Sequence, residues 1–244
     1  MDKVKLDLFV LKAKEDLISV HQFFLKSIEK WFDAEGSPRL EYFHIRECLL
    51  CGKDKSSELY MIDGFSYHRC LSCESIYTKP HLKDGVLDAL YNDGTYQFYQ
   101  DNLVKKGTKV RKGVLENRKY QQVKDLLNID NVSLLDVGCG GGTFLDVCKE
   151  RGWDVEGVDP SPDSSSATGV KINHGDFSKM DFDKKFDVIT FWGVLEHLSD
   201  PISAVLKATS LLNHSGMIVF EVPSANCFIS EYLKKSTFSP TRYI

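Results

Sequence analysis

Four of the seven cysteines fall into two pairs that have the spacing of metal ligands. Cys48 and Cys51 form one Cys-x2-Cys turn, and Cys70 and Cys73 form a second one after 18 intervening residues (52–69). Each turn can direct two thiolates at one ion, and four thiolates complete the tetrahedral coordination of a structural zinc ion. The sequence therefore predicts a structural zinc site with these four ligands, and a redox function of the two pairs is the alternative.

A second group of chemistry-bearing residues combines carboxylates with a glycine-rich turn. Residues 136–142 (DVGCGGG) lie where an apolar segment changes to a helical pattern. Glycines let the backbone turn sharply and approach a ligand closely. Asp159 follows at the end of the next apolar segment, where a carboxylate can accept hydrogen bonds from both hydroxyls of a ribose. This pattern predicts a nucleotide-type site.

Three details separate this site from a dinucleotide site. Thr143 stands in the place of the third glycine of the dinucleotide fingerprint. Asp136 suits a cationic ammonium group, whereas beside a pyrophosphate it would be repelled. Asp176 and Phe177 follow another predicted strand and offer an acceptor and an aromatic face for an adenine. A dinucleotide site and a tight turn without a ligand remain the alternatives at this point.

The elements that must position these residues alternate between strand and helix, which predicts an α/β fold with a doubly wound, Rossmann-like parallel sheet. Helices are predicted over about 114–128, 143–151 and 201–211. Strands are predicted at 132–137, 154–159, 170–173, 186–191 and 216–222.

Residues 133–222 resemble the class I S-adenosylmethionine-dependent methyltransferases. The motifs that carry the resemblance are LLDVGCGGG (134–142), VDPS (158–161), FDVI (186–189) and VLEHLSDP (194–201). The resemblance implies that Asp136, Gly138 and Gly140 contact the methionine part of the cofactor, with Cys139 beside them. It implies that Asp159, next to Pro160, holds the ribose, that Asp176 and Phe177 hold the adenine, and that Phe191 and Trp192 close the pocket.

The order of a cysteine-pair module, a tyrosine-containing linker and this core resembles a bacterial group of zinc-ribbon methyltransferases. That group includes C-methyltransferases of nucleotide-linked deoxysugars and enzymes of surface-polysaccharide pathways, and Tyr96 and Tyr99 fall where it carries aromatic residues near the cofactor. The resemblance implies a small-molecule acceptor, such as a nucleotide-linked sugar or a polysaccharide precursor. The alternative is a catalytically impaired zinc-binding scaffold that retains cofactor binding.

Glu196 and His197 follow the fourth predicted strand and are the candidate catalytic residues. Methyl transfer needs an aligned nucleophile and, for a hydroxyl or carbon acid, a base that removes a proton. A histidine that caps or packs the start of a helix is the alternative for His197. The pair also resembles that of quinone-biosynthesis O-methyltransferases, which carry a further acid where this chain has Gly193, so no catalytic metal is expected.

The remaining sequence suggests the overall organisation. An amphipathic helical segment over 1–40 precedes a zinc-binding module (41–80), a linker (81–113) and a cofactor-binding domain (114–244). Because about 22 residues follow the last predicted strand, the resemblance implies a sheet without its final strands, whose open edge favours a homodimer. The net charge of −4 disfavours nucleic acid as a partner. No signal peptide and no membrane-spanning run is evident, so a cytoplasmic location is expected.

Overall fold

The computed structural model of this chain describes residues 9–87, 89–90, 94–99, 101–102, 111–127, 129–162 and 164–223. These residues form a parallel sheet with an apolar cluster on each face and a separate apolar cluster in the N-terminal half. Residues 224–244, the expected end of the C-terminal domain, lie outside the described part.

The N-terminal half combines one long helix with short antiparallel strands. Helix α1 (Phe9–Ile28) continues into a 3-10 turn (Glu29–Trp31). An antiparallel sheet with the strand order β2-β3-β4 and an antiparallel pair of β1 with β5 follow. The strands are β1 (Phe43–His44), β2 (Ser56–Ile62), β3 (Phe65–Cys70), β4 (Ile76–Thr78) and β5 (His81–Leu82).

The apolar face of α1 packs on these strands. The sequence left open whether that face meets a core or a second copy of the chain, and in the structure it meets a core. Trp31 is 1% exposed and contacts the ring of Phe65 edge-on, with 6.4 Å between the ring centroids. Leu82 and Leu90, from the predicted linker, belong to the same cluster. Helix, module and the start of the linker therefore share one core.

A short helix, α2 (Thr95–Tyr99), packs against α1. The ring of Phe98 stacks on Phe23 with centroids 4.5 Å apart, and Thr95 Oγ1 donates to Ser27 Oγ at 2.8 Å.

Within the described ranges, no helix combines the length and the apolar character needed to cross a membrane.

The C-terminal half is a five-stranded sheet in which all neighbouring strands run parallel, in the order β10-β9-β6-β7-β8. The earliest strand lies at the centre, and the later strands extend the sheet first on one side and then on the other. The predicted α/β doubly wound sheet is thus confirmed. The strands are β6 (Ser133–Val137), β7 (Asp154–Asp159), β8 (Lys171–His174), β9 (Phe186–Trp192) and β10 (Leu212–Glu221).

Helices cover both faces of this sheet, which explains why its central strands are mostly apolar on both faces. Helices α3 (Asn117–Asp125) and α4 (Thr143–Lys149) pack on one face, and α5 (Pro201–Ser210) packs on the other. Successive residues of β6 point to opposite faces, so Leu134 joins the first cluster and Leu135 the second.

Several element boundaries differ from those predicted, and three differences are the most informative. The helix expected over 114–128 is α3 preceded by a π-helical segment, Arg111–Glu116. The third strand of the sheet, β8, begins one residue later than expected. The last strand begins at Leu212, before the predicted start, and its register with β9 is irregular between Leu212 and Met217. Ser215, with φ of 66°, lies in this irregular stretch, which the hydrophobic pattern alone does not reveal.

Candidate cofactor and acceptor site

The glycine-rich turn lies at the carboxyl end of the central strand β6. The backbone N–H groups of Gly138 and Cys139 both donate to the carbonyl oxygen of Val158, at 2.7 and 3.0 Å. Gly138 has φ of 72°, and a Cβ added to it would lie 2.3 Å from Cγ2 of Val194. Only glycine fits at this position, because a side chain would meet both backbone strain and a collision.

Asp159 connects the glycine-rich turn to the loop that follows β7 through hydrogen bonds. Its side chain is buried, and Oδ2 accepts a hydrogen bond from the N–H of Gly140 at 2.8 Å. Oδ1 accepts from the N–H of Ser161 at 2.9 Å and from Ser164 Oγ at 2.6 Å. These hydrogen bonds therefore fix the position of the carboxylate at the carboxyl ends of the parallel strands. Ser164 was not predicted, because no spacing rule connects a loop serine to this acid.

Asp136 is a second buried carboxylate, at the end of β6 and 2% exposed. Burial raises its pKa to about 7, although a hydrogen bond from Thr190 and the nearby charge of Lys119 act in the opposite direction. Thr190 Oγ1 donates to Asp136 Oδ1 at 2.6 Å. A cation bound beside this acid would favour its charged form.

A lysine, an acid and an indole lie on the α3 side of Asp136. Lys119 Nζ is 3.1 Å from Glu116 Oε2 and 5.0 Å from the centre of the Trp192 ring. The ring of Trp192 also contacts Phe144 edge-on, and its Nε1 is buried without a hydrogen-bond partner among the described residues. Trp192 was predicted from sequence. Lys119 and Glu116 were not, because the helical pattern predicted for their segment does not show which of its residues face the site.

The two phenylalanines expected at the pocket are both buried. Phe191 is fully buried, and Phe177 is 5% exposed and contacts Phe191 edge-on at 5.9 Å between ring centroids. Their expected roles, at the adenine and in closing the pocket, stay predictions. Asp176 is exposed, and its carboxylate accepts from the N–H of Ser178 at 2.8 Å and pairs with Lys179 at 3.1 Å.

Glu196 and His197 lie in a 3-10 turn, Leu195–His197, directly after β9. His197 Nε2 is 4.0 Å from Glu196 Oε1. Burial lowers the pKa of His197 to about 4, so its imidazole is neutral near pH 7. Its Nδ1 is buried and has no hydrogen-bond partner in the described part of the chain. A neutral imidazole with an unused nitrogen can receive a proton or bind a hydroxyl group.

The four predicted cysteine ligands converge at one point in the N-terminal half. Their sulfur atoms all lie within 4.8 Å of one another, with Cys48 and Cys73 at 3.6 Å and Cys51 and Cys70 at 3.5 Å. Tetrahedral zinc with bonds of about 2.3 Å needs sulfur–sulfur separations of about 3.8 Å. The four residues therefore fit the ion, and the thiols are free rather than disulfide-bonded.

Polar groups favour the thiolate form of two of the cysteines, Cys70 and Cys73. The N–H groups of Cys73 and Ser72 lower the pKa of Cys70 to about 6. Ser75 Oγ lies 3.1 Å from Cys48 Sγ and 3.2 Å from Cys73 Sγ. Such donors around the sulfurs resemble the outer hydrogen bonds that orient metal ligands.

A cleft of about 460 Å³ separates the cysteine-bearing module from the loop that follows His197. On the side of the sheet, Asp200 caps α5 by accepting from the N–H of Ser203 at 2.9 Å. Hydrogen bonds from Ser203 lower the pKa of Asp200, and the charge of Arg46 across the cleft contributes. The cleft is lined by Arg46, Glu47, Cys48, Leu49, Gly52, Ser199 and Asp200.

Comparisons with known proteins agree with the fold. A family model described as a methyltransferase domain matches residues 105–241. A ubiquinone biosynthesis O-methyltransferase of Hydrogenovibrio crunogenus is 30% identical over 115 residues, which are 43% of this chain and 48% of that protein. The Colwellia psychrerythraea protein of the same name is 31% identical over 117 residues, covering 42% and 46%. The chain spans about half the length of these curated relatives.

Among solved structures, the chain is similar to the plantazolicin methyltransferase BpumL in complex with SAH. The two share 20% sequence identity, with coverage of 64% of this chain and 63% of that chain and a TM-score of 0.48.

Proposed function

This chain belongs to the methyltransferase domain family, and on that premise we propose that it transfers a methyl group from S-adenosylmethionine to a small-molecule acceptor. The observation that carries the proposal is the placement of two buried acids, Asp136 and Asp159, on either side of a glycine turn. Both acids end adjacent strands of the parallel sheet, at the edge where ligands of such sheets bind.

Each acid suits one part of this cofactor. Asp136 would bind the ammonium group, because a buried carboxylate gains most from a neighbouring positive charge. Asp159 would accept hydrogen bonds from the ribose hydroxyls in exchange for those it now accepts from Gly140 or Ser164. Asp176, at the next strand end, would accept from the adenine amino group. When bound, the cofactor supplies a methyl group activated by a positively charged sulfur.

The acceptor would be held by residues at the end of β9 and directly after it. Trp192 and His197 each carry a buried nitrogen without a partner among the described residues, and such groups are costly unless a ligand or water satisfies them. His197, with Glu196 beside it, would remove the acceptor's proton, and Trp192 would donate a hydrogen bond. In this proposal both residues contact the acceptor atom, which must be aligned and deprotonated.

The cleft between the cysteine-bearing module and the loop after His197 supports a polar acceptor. Its walls carry a guanidinium at Arg46, carboxylates at Glu47 and Asp200 and a hydroxyl at Ser199. A ligand rich in hydroxyl groups can satisfy such a mixture of donors and acceptors, whereas a hydrocarbon tail cannot. We therefore favour a nucleotide-linked sugar or a polysaccharide precursor over a quinone precursor, although the curated relatives are named for ubiquinone biosynthesis.

Zinc would have a structural role in this proposal. Cys48, Cys51, Cys70 and Cys73 fill four coordination positions and leave none for a substrate. The ion would join the two turns that carry the cysteines, and Arg46 and Leu49, which line the cleft, lie on or next to one of these turns.

Calorimetric titration of the purified chain with S-adenosylmethionine, together with metal analysis, tests the cofactor and the ion. We expect saturable binding and one zinc per chain. Release of S-adenosylhomocysteine in the presence of nucleotide-linked sugars then tests turnover. A chain that binds the cofactor but releases no product with any sugar or phenol acceptor would instead be the scaffold alternative.

A further inference from the structure

Thr190 places a hydroxyl group inside the parallel sheet, directly beside the carboxylate of Asp136. It is fully buried and lies opposite Asp136 in the register of β9 and β6. Its Oγ1 donates to Asp136 Oδ1 at 2.6 Å, and the carbonyl oxygen of Leu135 is farther away at 3.5 Å. The hydroxyl is therefore committed to the side chain of the acid rather than to the backbone.

The groups around Asp136 differ in which form of the acid they favour. Burial, Glu116 on the segment before α3 and Asp159 at the end of β7 all oppose its ionisation. Lys119 on α3 favours ionisation, but this lysine is already paired with Glu116 at 3.1 Å. Among the described residues, the bond from Thr190 is the only hydrogen bond to the Asp136 carboxylate. Its short length is typical of a bond to a charged acceptor.

We propose that Thr190 is a positioning residue for cofactor binding, which stabilises the ionised form of the Asp136 carboxylate and leaves its second oxygen for the ammonium group. The proposal rests on the proposed function, because Asp136 acts there as the ammonium-binding acid. A purely structural threonine would only fill space in the sheet, and valine would fill the same space without a hydroxyl.

The first test measures the titration of the Asp136 carboxyl carbon by NMR in the ligand-free chain. Thr190→Val removes the donor, and we expect the pKa of Asp136 to rise by about one unit, since a lost hydrogen bond to the charged form has that effect. Thr190→Ser keeps the donor, so the pKa of Asp136 in this variant should equal that in the unmodified chain. Thr209→Val, which removes an exposed hydroxyl on α5, is the matched control and should leave the titration unchanged.

The second test measures cofactor affinity against pH. In Thr190→Val, the dissociation constant of S-adenosylmethionine at pH 7 should rise about fivefold, because the ionised fraction of Asp136 falls from about one half to about one tenth, and the loss of affinity on acidification should begin about one pH unit higher. The difference should vanish in an Asp136→Asn background, where no carboxylate remains to position. Thr190→Ser should restore both the affinity and its pH profile.

An unchanged pKa of Asp136 in folded Thr190→Val would overturn the proposal, whatever the affinity of that variant for S-adenosylmethionine. If that variant does not fold, Thr190→Ala serves in its place and is read in the same way. A chain that binds no S-adenosylmethionine at any pH would refute the proposed function separately, and the titration would still decide whether Thr190 controls the ionisation of Asp136.

Discussion

At the residue scale, the site depends on acids that the fold buries at the end of a strand. Asp136, Asp159 and the four cysteines could be predicted because short spacing rules connect each residue type to its chemistry. Thr190 and Ser164 could not, since their partners lie 54 and 5 positions away and no such rule applies. One signal was available, because Thr190 is the only uncharged polar residue in an otherwise apolar run of β9.

Asp136→Asn should change stability and cofactor affinity in opposite directions. Burial raises the pKa of Asp136 to about 7, above its ordinary value. Between about pH 4 and 7 the folded chain retains a proton that the unfolded chain releases, so stability falls as the pH rises through this window. Asparagine removes this loss, and we expect the free energy of unfolding at pH 8 to increase by about 1–3 kcal/mol.

Urea unfolding at pH 5 and pH 8 measures this effect, and titration calorimetry should show at least about tenfold weaker binding of S-adenosylmethionine. A less stable variant at pH 8 would show that the charged acid contributes to folding rather than opposing it.

Asp159→Ala should weaken the binding of S-adenosylmethionine by about 1–3 kcal/mol, because charge-assisted hydrogen bonds to the ribose are lost. The matched control is Asp154→Ala, which removes an exposed carboxylate from the opposite end of the same strand. Calorimetry on both variants measures the difference. Equal affinities in the two variants would remove Asp159 from the ribose site.

At the element scale, the alternation of strands and helices could be predicted because buried parallel strands read as apolar runs. The ends of elements were less predictable. The π-helical segment Arg111–Glu116 and the irregular start of β10 depend on tertiary contacts, which periodicity does not encode. The expected roles of the Phe177 and Phe191 rings stay predictions, since periodicity does not show whether an aromatic residue at a strand end turns to a ligand or to the core.

The turn between β6 and α4 provides a prediction at this scale. Gly138→Ala should abolish measurable cofactor binding, because the new Cβ would lie 2.3 Å from Val194 and the residue has φ of 72°. Adding Val194→Ala removes the collision but not the backbone strain, which costs about 1 kcal/mol. Binding should therefore recover only in part in the double variant. Gly141→Ala is the control, since nothing lies within 4 Å of its added Cβ.

At the scale of the whole molecule, the N-terminal cluster and the two clusters of the sheet are separate sets of buried residues. The two pairs of cysteines predicted the module, but the sequence did not show that α1 and Leu90 complete its core. Contacts of this kind join residues that are distant in the chain. They depend on how the folded elements fit together, which the spacing of residues along the sequence does not show.

Cys48→Ser should therefore affect only one half of the chain. We expect loss of bound zinc and faster hydrogen exchange in β2 and β3, because a structural ion contributes directly to folding. The parallel sheet should keep its protection and its affinity for S-adenosylmethionine. Cys148→Ser, in the core of the sheet, is the control and should retain the metal. A full zinc content in Cys48→Ser would show that the ligand assignment is wrong.

The cleft between the two halves has a consequence for divergence and engineering. One wall belongs to the cysteine-bearing module and the other to the loop after β9, so part of the proposed acceptor surface is encoded far from the glycine turn. Under the proposed function, substitutions at Arg46 or Leu49 would alter acceptor selectivity without touching the glycine turn. A library restricted to residues 44–53 is therefore the economical starting point for changing the proposed acceptor selectivity.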